Sequence, residues 1–404
     1  MCDYLLKNTN DYIIFEGVRR LSIYNHKNIK HIKSDRFKLI NFDLTDSHVI
    51  NKIFEKLKPS YFINFAAQSY VGCSWDFPEQ TWNTNATSII HLLEAMKTYC
   101  KVCRLYQAGS SEEFGDILTT PQTLSHPLKP RSPYGASKCA ARHIVKVYRE
   151  SYNLFAIHCI LFNHEGPRRG ETFVSRKITR AVVEIYRNKR KFFTLGNLNA
   201  KRDWGSAKDY VESMWLMLKA KKPSDYVIAT GKSYTVKNFV EEAFKYIGRK
   251  IYWKGKGLNE LGCDKKTGQV YVKIDKKYFR STDVDELRGD SSKARRELKW
   301  RPKTNFKELV SADRQFRQDT LLIGSQVQNI DNIVAKLGPE FEKLGGSFET
   351  ASKSTDTSAA TALATWEATS ANSIPTLDAK APASNPSPSV STSLIAVAIS
   401  VFCG

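Results

Sequence analysis

Over residues 1–165 short β-rich runs alternate with helical patterns, and this alternation limits the possible folds more than any other feature. "DYIIFEG", "KLINFD", "YFINFAAQ", "RLYQAGSS" and "LFAIHCILFN" read as strands. "HVINKIFEKLK", "TSIIHLLEAMKTY" and "SKCAARHIVKVYRESY" carry apolar residues three and four apart and read as helices. Strands that alternate with helices need crossover connections, so the expected fold is α/β, a doubly wound parallel sheet covered on both faces. The strand ends "NFDLTD" and "NFAAQS" turn polar or small at the carboxyl edge, where ligands sit in such sheets. Residues 166–320 are more mixed and richer in Arg, Lys, Gly and Trp, and read as a smaller α/β substrate-facing domain interleaved with the first. Residues 321–404 form an atypical extension. From about Gly346 it is dominated by Ser, Thr, Ala and Pro, which favours a disordered tail.

A chain of 404 residues is long enough for two domains and a sizeable core. The net charge of +21 would suit a nucleic-acid partner, but the lysines are spread along the chain without a basic run. A solvated surface, or an anionic small substrate, fits better. Cys100 and Cys103 form a CxxC without a second pair, so no zinc site and no disulfide framework are expected, and a reducing cytoplasm suits the scattered thiols. The N-terminus does not read as a signal peptide. The apolar run Leu394 to Phe402 falls well short of the roughly 20 residues that span a bilayer.

The chemistry concentrates between Ser110 and Lys138. "GSSEEFG" stands at a strand end and "RSPYGASK" opens a helix, with Pro133 at its start. Tyr134 and Lys138 are four residues apart and share a helix face. A phenol, with a pKa near 10, is a poor base unless a neighbouring ammonium and a cationic nicotinamide favour the phenolate. Such a pair can remove or return a hydroxyl proton during hydride transfer, with Ser110 holding the same substrate oxygen. Glu112 is placed to take an acidic proton beside a ketone and then help expel water. Separately, Asp11 to Arg20 reads as a strand running into two arginines that could receive a 2′-phosphate.

These residues and several longer blocks resemble the GDP-mannose 4,6-dehydratase family, of the extended short-chain dehydrogenase/reductase superfamily. The resemblance runs from about Tyr4 to about Leu309, through "FAAQSYV", "YQAGSSEEFG", "PRSPYGASK", "LFNHEGPRRGETFVSRKITRA", "LGNLNAKRDWGSAKDYVESMW", "WKGKGLNELG" and "YFRSTDVDELRGD". It implies a Rossmann-like fold, NADP as cofactor and GDP-mannose as substrate. It also implies a homodimer or homotetramer in the cytoplasm, acting in GDP-fucose biosynthesis, with no membrane, nucleic acid or metal. The implied reaction takes hydride from C4, a proton from C5 and water from C6, then returns the hydride to C6. Carried over by motif, Ser110, Glu112, Tyr134 and Lys138 are the catalytic set. Arg19, Arg20, Asp43, Leu44, Phe65, Ala66, Ala67, Gln68, Ser69, His164 and Arg169, with Tyr134 and Lys138, face the cofactor. Asn163, Arg176, Arg202, Arg280 and Asp283 face the sugar nucleotide. Ser110 stands where many members have Thr, Asp283 where Glu is usual, and Ser281 where Pro is usual.

The N-terminus departs most. The family carries about twenty further residues before the point matching Tyr4, with the first strand and a loop resembling GxTGQDG whose N–H groups cradle a pyrophosphate. "YLLKN" matches the later half of the following helix. The expectation is therefore a sheet lacking its central strand, with two unpaired edges. Buried unpaired backbone groups cost about 1–3 kcal/mol each, against a total stability of about 5–15 kcal/mol. Either residues upstream complete the sheet, or the chain is a non-catalytic remnant that holds NADP poorly. A related NADP-dependent reductase or epimerase is the neighbouring enzymatic alternative, distinguished by having no need of Glu112. "GKGLNELG" has the wrong glycine spacing for the missing loop.

Overall fold

All five strand readings form strands of one parallel sheet. The structure, a computed structural model, describes residues 1–22, 27–278, 284–311, 393–398 and 401–402, all within a unit made of Met1–Arg317 and Thr392–Gly404. Seven strands make the sheet: β1 (Tyr12–Val18), β2 (Phe37–Asn41), β3 (Tyr61–Asn64), β4 (Arg104–Ala108), β5 (Phe155–Leu161), β6 (Tyr226–Ile228) and β7 (Ser393–Ala398). They lie in the order β6-β5-β4-β3-β7-β1-β2, every pairing parallel.

The helices cover both faces. Near the N-terminus come α1 (Cys2–Asn8), α2 (Ser47–Leu57) and α3 (Ser88–Tyr99). Further along are α4 (Pro133–Tyr152), α5 (Val174–Tyr186), α6 (Ala207–Leu218) and α7 (Val236–Tyr246). On one face α1 and α6 bury Leu5, Met214 and Trp215 against Ile14, Tyr106 and Ile157 of the sheet. On the other, α2, α3 and α4 bury Phe54, Leu92, Met96 and Val145 against Phe62, Leu105 and Ala156. Both faces of a parallel sheet are thus dry, which is why these strands read as nearly continuous apolar runs. Local signals set the helix ends. The Asp46 carboxylate accepts the N–H groups of His48 and Val49 at the start of α2, and Lys58 closes it at φ 42°.

The expected gap in the sheet is filled. β7, from far along the sequence, lies between β1 and β3, pairing Ile14 with Ile395 and Ile395 with Tyr61. The Ser60 N–H also donates to the Leu394 carbonyl at 2.9 Å. The side chains of β7 alternate as a buried strand requires: Ile395 and Val397 enter the core beneath α1 and α6, and Ala396 enters the one beneath α2 to α4. The expectations of an empty central position and of a tail disordered throughout are both overturned for these residues. The stretch "SLIAVA", five apolar residues behind a serine and preceded by Ser/Thr/Pro-rich sequence, carries the signature of a buried strand. It was too short to be a membrane span, and its distance from the other strands concealed its partner.

Beyond α4 a further core joins α5 and α7 to a four-stranded sheet formed by Phe193–Leu195, Ile251–Lys254, Leu261–Asp264 and Val270–Ile274. The "GKGLNELG" stretch is the connection between the second and third of these antiparallel strands. Gly255 sits there at φ 83°, and a Cβ would lie 2.4 Å from the Asn259 carbonyl oxygen. Its glycines serve a hairpin and not a phosphate. No helix among the described residues is long and apolar enough to cross a membrane.

Candidate active site

Two elements build the chemical centre. β4 ends at Ala108, and Gly109 leads into a single helical turn, Ser111–Glu113, whose entry residue is Ser110. The Ser110 hydroxyl accepts the Glu112 N–H at 3.2 Å, and the Glu113 carboxylate accepts the Ser110 N–H at 2.8 Å, a reciprocal capping box. α4 starts beside this turn. The Ser132 hydroxyl accepts the Gly135 N–H at 3.0 Å, and Pro133 occupies the first helical position, where no N–H is needed. The first turns of α4 therefore deliver Tyr134 and Lys138 to the carboxyl end of β4.

The geometry brings together all four residues of the expected catalytic set. Ser110 lies in hydrogen-bond contact with Tyr134, and the Lys138 ammonium stands 5.9 Å from the Tyr134 ring centre. Lys138 is anchored by donating from Nζ to the Ala108 carbonyl at 2.9 Å. Glu112 is half-buried at the same turn. Burial pushes the Tyr134 phenol up to about 12, opposed by the Ser110 hydrogen bond, which favours the phenolate. Burial also draws Lys138 down to about 8, opposed by the nearby Glu113 carboxylate. A phenol raised this far serves as a base only when further positive charge approaches, and an oxidised nicotinamide ring brings such charge.

The expected cofactor residues line the carboxyl edge. Arg19 and Arg20 follow β1 directly, Arg19 half-buried and Arg20 exposed. Asp43 follows β2, its carboxylate accepting the Thr45 N–H and hydroxyl, while the Leu44 side chain is buried in the core. Phe65 to Ser69 follow β3, with Ala66, Ala67 and Gln68 buried. The Gln68 N–H donates to Asn85 Oδ1 at 2.9 Å, and its own Oε1 is buried with no hydrogen-bond partner among the described residues.

Asn163 and His164 lie in a short strand, Asn163–Glu165, paired with Trp204–Ser206. The His164 ring stacks on Tyr210 at 5.1 Å, and burial, with Arg169 nearby, holds it below the usual histidine range. Arg169 pairs with Glu165 at 3.1 Å and covers the Phe173 ring. Arg176 is buried and, with Glu165, Arg169, Thr179 and Ser206, lines a cavity of about 160 Å³. Arg202 donates to the Val284 carbonyl at 2.6 Å. Arg280 and Asp283, with Ser281, lie outside the described residues.

Two further residues join the site without having been expected. Glu113 and His158 are fully buried beneath the Ser110 turn. The doubled carboxylate in "SSEEFG" was the available signal for the first, while His158 sits inside a strand run and gave none.

The profile of the family described as "GDP-mannose 4,6 dehydratase" matches residues 1–312. The chain belongs to this family. A relative described as "GDP-mannose 4,6 dehydratase" from Drosophila melanogaster is 50% identical over 321 residues, covering 77% of this chain and 80% of that protein. Among solved structures, a dTDP-glucose 4,6-dehydratase from Bacillus anthracis in complex with NAD superposes with a TM-score of 0.64. It is 20% identical and covers 78% of this chain and 91% of that one. RMD from Pseudomonas aeruginosa, complexed with NADPH, superposes with a TM-score of 0.61 at 17% identity, over 75% and 98% of the two chains. At these identities the two structures establish the family member's Rossmann-like fold.

Proposed function

We propose that this member of the family is an active GDP-mannose 4,6-dehydratase, converting GDP-mannose to GDP-4-dehydro-6-deoxymannose with NADP. The observation that carries the reading is the convergence of Ser110, Glu112, Tyr134 and Lys138 at the end of β4. The residues present fit a nicotinamide dinucleotide. Arg19 and Arg20 supply planar cations for a 2′-phosphate beside the end of β1. Gln68 Oε1, without a partner among the described residues, is an acceptor at the end of β3, and Tyr134 with Lys138 would meet the nicotinamide end. When bound, the cofactor accepts a hydride and later gives it back, so the overall reaction is redox-neutral.

The chain's own groups carry the protons. Tyr134 takes the proton of the sugar C4 hydroxyl, with Ser110 holding the same oxygen and Lys138 favouring the phenolate. The C4 ketone acidifies C5, and Glu112 removes that proton. Glu112, now protonated, gives the proton to the departing C6 hydroxyl, which leaves as water. As the hydride returns to C6, C5 takes back one proton through Glu112 from solvent, and Tyr134 releases to solvent the one it took from the C4 hydroxyl, so the protons balance. Arg176, with Asn163, Arg202, Arg280 and Asp283, would hold the sugar nucleotide, and residues 166–320 would form the substrate side. A homodimer or homotetramer in the cytoplasm completes the reading.

The full chain, incubated with GDP-mannose and NADP, should give a ketone product lighter by one water, with no net accumulation of NADPH. Unchanged GDP-mannose would overturn the reading. Net consumption of NADPH on a keto-sugar, insensitive to E112Q, would favour a reductase instead. β7 in the central strand position supports the enzyme reading over the remnant one as far as the sheet is concerned, and NADP binding by the full chain tests the rest.

A further inference from the structure

Beneath the catalytic turn lies a buried acid–imidazole pair that the proposed reaction does not use. Glu113 and His158 are both fully buried, with His158 Nε2 2.9 Å from Glu113 Oε1. The same Oε1 accepts the Ser110 N–H. With Oε1 already accepting the Ser110 N–H, the Nε2–H tautomer of His158 lets the imidazole donate to the same oxygen. Glu113 Oε2 and His158 Nδ1 are buried and have no hydrogen-bond partner among the described residues. The pair fits because residue 109 is glycine. A Cβ there would lie 2.3 Å from His158 Nε2 and 2.6 Å from Glu113 Oε1.

We propose that Glu113 and His158 are positioning residues, a buried post that fixes the Ser110–Glu112 turn and so aligns the two catalytic groups it carries. The assignment rests on the reaction proposed above. The chain Ala108–Gly109–Ser110 is held at one end by Lys138 and at the other by Glu113. His158 in turn is fixed in β5, its N–H donating to Asp225 Oδ1 at 3.3 Å while Asp225 pairs with Arg149 at 2.7 Å. Other titratable groups face the pair as well. Cys139 Sγ donates to the Glu113 carbonyl, and Lys138, Tyr134 and Cys159 lie within electrostatic reach of the Glu113 carboxylate. Asp225, with Arg142 and Arg149, faces His158 from the far side. Two buried atoms without partners make this a costly way to fill a core, so an arrangement that served packing alone would do better with apolar side chains.

The test compares E113L, E113Q, H158M and H158Q with the wild-type chain. E113L and H158M should lower kcat by about tenfold or more with KM within about twofold, because a displaced turn loses alignment and not affinity. E113Q keeps an acceptor oxygen and H158Q keeps an N–H donor, so both should recover kcat to within about threefold of wild type. E113Q should also move the alkaline limb of the pH–rate profile to lower pH, since Lys138 loses the carboxylate that favours its ammonium. Melting temperatures check that each variant is folded; if the apolar variants do not fold, E113Q and H158Q decide by their recovery and by the limb. Wild-type kcat in folded E113L, or E113Q and H158Q as damaged as their apolar counterparts, would overturn the assignment while leaving the reaction standing. A wild-type chain that forms no product overturns the reaction, and this assignment with it.

Discussion

Lys138 shows how a single buried cation is both a cost and a requirement. Its pKa falls from 10.5 unfolded to about 8 folded, so the native state sheds the proton first. Below pH 8 this mismatch costs roughly 3 kcal/mol, and the cost disappears as pH rises from about 8 to 10.5. K138M should therefore be more stable than wild type at neutral pH by roughly 2 kcal/mol, after loss of the hydrogen bond to Ala108. The gap should close through that same window when denaturant melts are run across pH. Activity should move the other way, with K138M and Y134F each losing about 10²–10⁴ in kcat. Tyr134 and Lys138 were legible in the sequence because helical spacing fixes which residues share a face. The Glu113–His158 contact was not, because two strands and a turn bring together residues whose neighbours in sequence say nothing of each other.

At the scale of elements, the five strands and the helices of the first 165 residues could be read from periodicity, since each pattern declares itself within a dozen residues. β7 could not. Its pattern was visible, but nothing local says which of several gaps a buried strand enters. Ile395 is fully buried between β1 and β3, so I395D places a carboxylate in the sheet core and should cost about 3–5 kcal/mol or more. Removing residues 392–404 leaves β1 and β3 with unpaired facing edges and should abolish cooperative unfolding followed by circular dichroism. A truncated chain that melts like wild type would show that β7 adds nothing. A Ser/Thr/Ala-rich composition supports a reading of disorder only where no apolar run interrupts it, and "SLIAVA" interrupts it.

For the whole molecule, the proposed cofactor site draws on strand ends that β7 holds in order. Ligand that binds only the native state raises stability by about 2.7 kcal/mol at a hundred times its Kd. NADP should raise the melting temperature of the full chain in a concentration-dependent way, and more than NAD does, if Arg19 and Arg20 receive the 2′-phosphate as proposed. R19A/R20A should erase that difference between the cofactors. Absence of any shift in wild type would mean that these strand ends do not hold a dinucleotide.

The position of β7 also has a consequence during synthesis. A ribosome makes β1 to β6 well before it makes β7, and the central pairing spans more than three hundred residues of separation. Until then a nascent chain exposes two adjacent strand edges, a template on which another chain's strand can settle. Chaperone supply during translation, more than the stability of the finished fold, should then govern how much of this protein a cell recovers.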